Sequence, residues 1–265
     1  MGTPEWTARE AIEAASKYGY TGIDLRISNF KGELNLSSSE REILEIKDIL
    51  TSENVQLAGL LCYNEVGGAT EKSWQKMKDS ILKHLEIGLK LNSPSIRIFG
   101  GNPHKELPFE DYTKRLAETI ATVLEITGNG IYILIQNHGG SYTAQEAISL
   151  IKMVDNKRFR LVFSPDHSVM MKENLKEVYT IAKPLTYQIY VSDVIPARDE
   201  KNKRDYTAVL PGRGIVPIKE AYKAMGGKEF KGFISFKWEK IWQENLEEPE
   251  VALPYFIEYW EKITS

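Results

Sequence analysis

The sequence predicts a single α/β domain, a (β/α)₈ barrel, on three observations. Short apolar runs alternate with amphipathic stretches at a spacing of about thirty residues, which is typical of βα units. The chain has 265 residues, an ordinary length for one barrel of this kind. No Ser/Gly-rich linker or low-complexity tract divides residues 1–265, so we predict one domain.

The first helix is predicted over residues 7–18. Thr7 and Glu10 have the spacing of a capping box, in which a hydroxyl and a carboxylate each bind a free backbone N–H. Gly19 then supplies the left-handed residue that ends many helices. Further amphipathic stretches predict helices at 39–53, 71–91, 109–127, 143–154, 175–182, 217–225 and 249–263.

Seven strands are predicted from the short apolar runs. They lie at residues 22–26, 56–62, 95–99, 132–136, 160–164, 186–192 and 232–237, with loops at 100–108 and 195–214. The barrel is therefore one strand short at its start, because the first helix begins almost at Met1. Losing one strand of a closed barrel exposes two edges. We expect either a start that is truncated relative to related barrels or a gap that is filled in another way.

The composition excludes several classes of partner. Apolar residues make up 42% of the chain and charged residues 27%, which fits a globular protein with a large core. A net charge of -3 gives no electrostatic reason to bind nucleic acid. No apolar stretch is long enough to cross a bilayer, and residues 1–6 lack the features of a secretory signal. We expect a cytoplasmic protein without membrane or nucleic-acid partners. The composition does not distinguish a monomer from a homo-oligomer.

Cys62 is the only cysteine of the chain. No intramolecular disulfide can form, which agrees with a reducing compartment. Because Cys62 closes the apolar run 57–61, we interpret it as a small buried strand residue rather than a nucleophile.

Polar residues stand where four of the predicted strands end. In an α/β barrel the carboxyl ends of the strands and the loops after them form the active face. Polar side chains at these positions are more informative than those on helices, which solvation explains. The segments concerned are Gln136-Asn137-His138, Ser164-Pro165-Asp166-His167, Tyr190-Val191-Ser192-Asp193 and Lys237-Trp238-Glu239.

Several segments resemble the xylose isomerase-like TIM-barrel family of sugar isomerases and epimerases, to which endonuclease IV is related. Residues 19–26 look like the family's entry into its second strand, and 96–101 are similar to its fourth. Residues 232–239 and 246–254 look like its eighth strand and last helix. The resemblance runs from about Pro4 to the C-terminus, and it implies a carbohydrate-like substrate.

Family members typically bind one divalent ion through a Glu, an Asp, a His and a Glu at the ends of strands five to eight. By this resemblance the four ligands fall on Gln136, Ser164, Tyr190 and Lys237, and all four have changed. An alternative alignment makes Asp166 a ligand and still leaves three losses. An amide, a hydroxyl, a phenol and an ammonium carry no negative charge to hold the ion. We therefore predict no metal and no other cofactor.

Lys237 has three interpretations. It forms an ion pair with Glu239, which shares its strand face at a period of two residues. Alternatively, its ammonium takes the place of the missing cation. As a third alternative, a partly buried lysine forms a Schiff base with a carbonyl substrate.

Two histidines match positions where relatives often keep a histidine near the substrate. His138 and His167 are candidates for proton transfer, and a structural, hydrogen-bonded role is the alternative for each. We assign no chemistry to His84 and little to His104.

Charged and aromatic residues near the strand ends are further candidates. Arg213, between two glycines, is suited to hold an anionic group, although a solvated loop arginine explains it too. Trp238 is suited to stack on a sugar ring, and packing beneath the last helix is the alternative. Asp24, Arg26 and Arg97 on early strands are interpreted as an internal charge cluster rather than substrate contacts.

Two functions follow from the resemblance and the changed ligands. The first is a sugar or polyol isomerase or epimerase that works without a divalent ion. In it Lys237, His138, His167 and Tyr190 are catalytic, and the other candidates contact substrate: Gln136, Ser164, Asp166, Glu239, Arg213 and Trp238. The second is a non-catalytic barrel that binds a carbohydrate or a partner.

Overall fold

The computed structural model describes residues 1–29, 32–103, 107–128, 130–198 and 205–265 of the chain. Within these ranges the α-helices are α1 (Ala8–Lys17), α2 (Glu40–Ser52), α3 (Glu71–Lys90), α4 (Phe109–Ile126), α5 (Ala144–Val154), α6 (Pro165–Met170), α7 (Leu175–Ala182), α8 (Ile218–Ala224) and α9 (Pro249–Thr264). The strands are β1 (Gly22–Ile27), β2 (Gln56–Cys62), β3 (Ser95–Ile98), β4 (Tyr132–Gln136), β5 (Phe159–Phe163), β6 (Thr186–Val191), β7 (Asp193–Ile195), β8 (Thr207–Val209) and β9 (Ile234–Phe236).

Seven of these strands form one parallel sheet that is curved into a nearly closed barrel. The strand order is β1-β2-β3-β4-β5-β6-β9. Every neighbouring pair in this order is parallel. The prediction of a parallel α/β barrel whose last strand lies within 232–237 is confirmed.

The two end strands, β1 and β9, face each other across a gap. A cavity of about 170 Å³ lies there, lined by residues 20–25 on one side and 233–238 on the other. The first residues of the chain line the same cavity, where the Met1 carbonyl accepts a hydrogen bond from the Ile241 N–H at 3.2 Å. Gly2 packs on Trp238, leaving little room for a side chain. Residues 1–3 thus cover part of the gap.

Side chains alternate along each strand between the helices and the barrel interior. In β3, Ile96 and Ile98 belong to the core between sheet and helices, so Arg97 between them faces inward. A separate interior cluster contains Leu61 and Tyr190. This alternation determines which side chains face the barrel interior, and those at the carboxyl ends of the strands lie at its open end.

One short helix, α6, was not predicted from the sequence. It has six residues, too few for a helical repeat of apolar residues to be recognised. Pro165 occupies its first turn, where a missing N–H costs nothing. The helix directly follows β5 and so carries Asp166 and His167 at the open end of the barrel.

A two-stranded antiparallel hairpin of β7 and β8 lies largely within the segment expected to be a loop. The buried carboxylate of Asp193 stabilises it and the turn after it. Four backbone N–H groups donate to this carboxylate at 2.8–3.0 Å, those of Val194, Gly212, Gly214 and Val216. A single buried acid at the strand end therefore organises this connection.

Two expectations concern other parts of the chain. His104 lies outside the described residues, as does part of the loop 100–108. None of the helices in the described ranges is long and apolar enough to span a membrane.

Candidate functional site

Four inward-facing residues stand at the carboxyl ends of neighbouring barrel strands. They are Gln136 at the end of β4, Ser164 after β5, Tyr190 in β6 and Lys237 after β9, and all four are buried. Gln136 Nε2 donates to Ser164 Oγ at 2.8 Å. The Lys237 N–H donates to the Val191 carbonyl at 2.8 Å, which places Lys237 beside the end of β6. The structure thus brings the four residues to the same end of the barrel.

Lys237 is the centre of a buried charged cluster. Its Nζ lies 2.6 Å from Asp166 Oδ2 and 3.1 Å from His167 Nε2. The contact with Glu239, the partner expected from strand alternation, is longer at 3.8 Å. The closer carboxylate belongs to α6, which the sequence did not reveal. The side chains of Lys237 and Asp166 are 4% and 2% exposed, so water scarcely screens this pair.

The side chain of His167 is held at both ring nitrogens. The Gly139 N–H donates to His167 Nδ1 at 3.2 Å, so this nitrogen is the acceptor of the ring. His167 Nε2 lies 3.1 Å from Lys237 Nζ. The orientation of the imidazole is therefore fixed between the loop after β4 and the buried lysine.

Burial sets the proton affinity of the acid in this cluster. It raises the pKa of Asp166 above its ordinary value, and the positive charge of Lys237 acts in the opposite direction. Asp166 Oδ1 makes no hydrogen bond of normal geometry with any described residue, although the His167 backbone N–H is close to this carboxylate. It is thus an unused acceptor at the open end of the barrel.

His138 lies against this cluster with a defined tautomer. Its Nδ1 is 2.9 Å from the Gly139 carbonyl, which only accepts, so Nδ1 carries the proton and Nε2 keeps the lone pair. The ring centroid is 4.3 Å from that of His167. Burial, and then the charge of Lys237, lower the pKa of His138 to about 4. The imidazole is therefore neutral at physiological pH.

Tyr190 and two arginines lie further along the interior wall. The Tyr190 hydroxyl makes no hydrogen bond that satisfies normal geometry, although Arg97 is close to it. Burial raises the pKa of Tyr190 well above 10. Arg26 and Arg97 are 2% and 3% exposed, so the interior charge cluster interpreted from the sequence is present as buried cations.

Asp24, two residues before Arg26 in β1, has other partners. Gln188 Nε2 donates to its two oxygens at 3.0 and 2.9 Å, and Ser235 Oγ donates at 2.7 Å. The contacts of Gln188 and Ser235 with Asp24 were not predicted from the sequence. Both residues belong to strands far along the chain from Asp24. The one signal in the sequence is that each occupies an inward-facing position, two residues from other inward-facing residues of its strand.

Two of the proposed substrate contacts lie away from the charged cluster. Arg213 is largely exposed, 4.0 Å from Glu247 and 5.2 Å from the centre of the Tyr255 ring. Trp238 is buried, and its indole N–H donates to the Glu247 carbonyl at 3.0 Å. The surroundings of Arg213 match a solvated loop arginine, and those of Trp238 match packing beneath α9.

The four aligned positions do not fit a divalent cation. The Gln136 amide and Ser164 hydroxyl are hydrogen-bonded to each other, Tyr190 is a buried phenol, and the Lys237 amine is already bound to Asp166. None of these groups offers the anionic oxygen that such an ion prefers. Across the described ranges, no three His, Cys, Asp or Glu side chains are grouped to hold a metal.

The chain has recognisable relatives. Residues 12–254 match the model of the family described as a xylose isomerase-like TIM barrel. A search of curated proteins found no match. A zinc-bound IOLI protein of known structure has a TM-score of 0.80 at 14% identity, with 99% of this chain and 94% of that chain covered.

Two epimerase structures are also similar. D-psicose 3-epimerase from Clostridium cellulolyticum H10, solved with D-tagatose, has a TM-score of 0.74 at 15% identity, covering 100% of this chain and 96% of that one. The E. coli 3-keto-D-glucoside 4-epimerase has a TM-score of 0.72 at 13% identity, covering 98% and 95%. At these identities the likeness shows the fold alone.

Proposed function

The chain belongs to the xylose isomerase-like TIM-barrel family, and from that premise we propose that it is an isomerase or epimerase of a small carbohydrate that uses Lys237 in place of a divalent cation. One observation carries the proposal. Asp166, which binds the buried Lys237, has a second buried oxygen that makes no hydrogen bond of normal geometry with the described residues. The buried Tyr190 hydroxyl in the same barrel interior makes none either. Unpaired buried polar groups are costly, so they indicate a polar ligand.

The chemistry is the transfer of a proton between two carbons next to a carbonyl. The Lys237 ammonium donates to the carbonyl oxygen and stabilises the negative charge that develops there as the C–H bond breaks. His138 Nε2, which keeps its lone pair, accepts the proton and returns it to the neighbouring carbon on the same face of the substrate. Inversion at a single carbon requires in addition a proton donor on the opposite face. Asp166 Oδ1 accepts a substrate hydroxyl and fixes the orientation.

A second candidate function is a non-catalytic barrel that binds a carbohydrate. The low proton affinity of His138, with its pKa near 4, favours it, because such an imidazole is a weak base at neutral pH. Lys237 is moreover already engaged by Asp166.

Hydrogen exchange with solvent distinguishes the two functions. A panel of ketoses and aldoses is incubated with the protein in D₂O containing a chelator, and deuterium at the carbon next to the carbonyl is followed by NMR. An enzyme incorporates deuterium, and Lys237→Met abolishes the signal, whereas Lys219→Met on the exposed face of α8 retains it. Saturable sugar binding without exchange would support the binding protein instead.

The same assay separates the two catalytic uses of Lys237. Borohydride reduces an imine to a secondary amine that remains attached to the protein. A sugar-sized mass increase on Lys237 after borohydride treatment would replace the charge-stabilised mechanism with Schiff-base chemistry. Exchange without such labelling supports the ammonium as a charge that stays unmodified.

A further inference from the structure

Two buried arginines lie at one level of the barrel wall. Arg26 of β1 and Arg97 of β3 are both in register with Leu61 of β2, which separates them. Leu61 belongs to the interior cluster, whereas the neighbours of each arginine along its strand pack toward the helices. Both guanidinium groups therefore extend into the barrel from strands on either side of β2.

The guanidinium groups have unused donors. Arg26 Nε, Arg97 Nε and Arg97 Nη1 are buried and make no hydrogen bond of normal geometry with the described residues, although Arg97 is close to the Tyr190 hydroxyl. Neither arginine belongs to any of the ion pairs that the described residues form within 4.0 Å. Within the part of the chain that the structure describes, the two guanidinium groups are thus buried cations without a carboxylate in direct contact.

The acids near the arginines are engaged elsewhere. Asp24 accepts from Gln188 and Ser235. Glu33 accepts from the backbone N–H of Arg26 at 2.7 Å rather than from its guanidinium. A buried positive charge is retained in proteins when it is paired or when it serves a ligand.

Arg97 is also oriented. Its guanidinium carbon lies 4.2 Å from the centre of the Phe99 ring, which covers one face and leaves the N–H edge as the available surface. The Phe99 ring in turn meets His138, at 6.2 Å between ring centres. Arg97 and His138, which lies against His167 of the Lys237 cluster, therefore flank the same aromatic ring.

We propose that Arg26 and Arg97 bind an oxyanion, a carboxylate or a phosphate ester, carried by the substrate of this barrel. A guanidinium edge matches both groups in shape and charge. The inference rests on the proposed function, and it narrows the substrate class from carbohydrates in general to sugar acids or sugar phosphates. Lys237 and His138 then act on the uncharged, carbonyl-bearing part of the same molecule.

Direct binding tests the proposal without requiring turnover. Calorimetry compares D-gluconate with sorbitol and D-fructose 6-phosphate with D-fructose, and inorganic phosphate serves as the minimal probe. The anionic member of at least one pair should bind about tenfold or more tightly, with affinity falling as salt rises. Preference for gluconate assigns the carboxylate, and preference for the phosphate ester assigns the phosphate.

Variants of Arg97 separate ligand binding from a structural role. Arg97→Met should remove the anionic preference and keep or raise the melting temperature, because it removes an unpaired buried charge. Arg97→Lys should retain part of the preference. Arg41→Met, at an exposed position on α2, is the matched control and should change neither.

Three results would overturn the inference. They are equal affinity within both pairs, absence of binding by phosphate and by both anionic sugars, or a melting temperature of Arg97→Met that falls while its anionic preference persists. Anion binding without deuterium exchange would reject the proposed catalysis but would support the anion site at Arg26 and Arg97. Deuterium exchange into a neutral sugar, without any preference for anionic sugars, would reject the anion site but would support the proposed catalysis.

Discussion

The side chain of Lys237 lies 2.6 Å from Asp166 Oδ2, although the two residues are 71 positions apart in the chain. Lys237 follows the last strand of the barrel, and Asp166 lies in the short helix after β5. The pair is almost inaccessible to water and also contacts His167. It therefore places a buried amine and a buried carboxyl group in direct contact at the open end of the barrel.

Removal of one partner of this pair should destabilise the protein. Lys237→Met or Asp166→Asn leaves a buried group without its partner and should lower the free energy of unfolding by about 3–5 kcal/mol. The double variant should lose clearly less than the sum, and urea unfolding measures all three. Arg41→Met, which breaks an exposed pair with Glu45, should have little effect. Strictly additive losses would show that the pair is not coupled.

His138 should make stability depend on pH. Its pKa falls from 6.5 to about 4 on folding, chiefly through burial. Between pH 6.5 and pH 4 the unfolded chain binds more protons at His138 than the folded chain does. The contribution of His138 to the free energy of unfolding is therefore fully present above pH 6.5 and is lost as the pH falls toward 4. His138→Gln should remove that part of the pH dependence of unfolding. A ring that titrates near pH 6.5 in NMR spectra of the folded protein would contradict this assignment.

The side chains at positions 136, 164, 190 and 237, which we align with the family's metal ligands, predict the response to metal. Protein from metal-rich medium should contain no stoichiometric Mn, Zn, Co or Mg by elemental analysis, and any deuterium exchange should survive a chelator. The four-fold variant Gln136→Glu, Ser164→Asp, Tyr190→His and Lys237→Glu should gain metal binding. A stoichiometric ion in the native protein that disappears in Gln136→Ala would refute the alignment.

Replacement of Asp193 should strongly destabilise the folded protein. Its buried carboxylate accepts from four backbone N–H groups, and Asp193→Ala leaves all of them without this acceptor. We expect a loss of more than about 3 kcal/mol in the free energy of unfolding, and a smaller loss for Asp193→Asn. Gly214→Ala should also destabilise the hairpin region, because a Cβ there would collide with the Asp193 carboxylate. Unfolding curves that match those of the native chain would contradict this role.

The alternation of strands and helices was predictable because its signals are local. Apolar runs set the strands, and capping boxes such as that of Thr7 and Glu10 set helix starts within a few residues. The six residues of α6 and the β7–β8 hairpin escaped detection. The helix is shorter than the repeat needed to recognise it, and the hairpin depends on the distant donors of Asp193.

The sequence by itself determined the parallel barrel, and it determined at which end of the barrel the side chains of Gln136, Ser164, Tyr190 and Lys237 lie. The alternation of strands and helices sets the parallel direction of the strands, and each of these residues lies at or near the carboxyl end of its strand. Only the tertiary structure decided the partners. Strand spacing pointed Lys237 to Glu239, but closure of the sheet brings Asp166 nearer. Contacts between residues far apart in the chain depend on sheet register and curvature, which no local pattern encodes, and these contacts set the charge and proton affinity of the site.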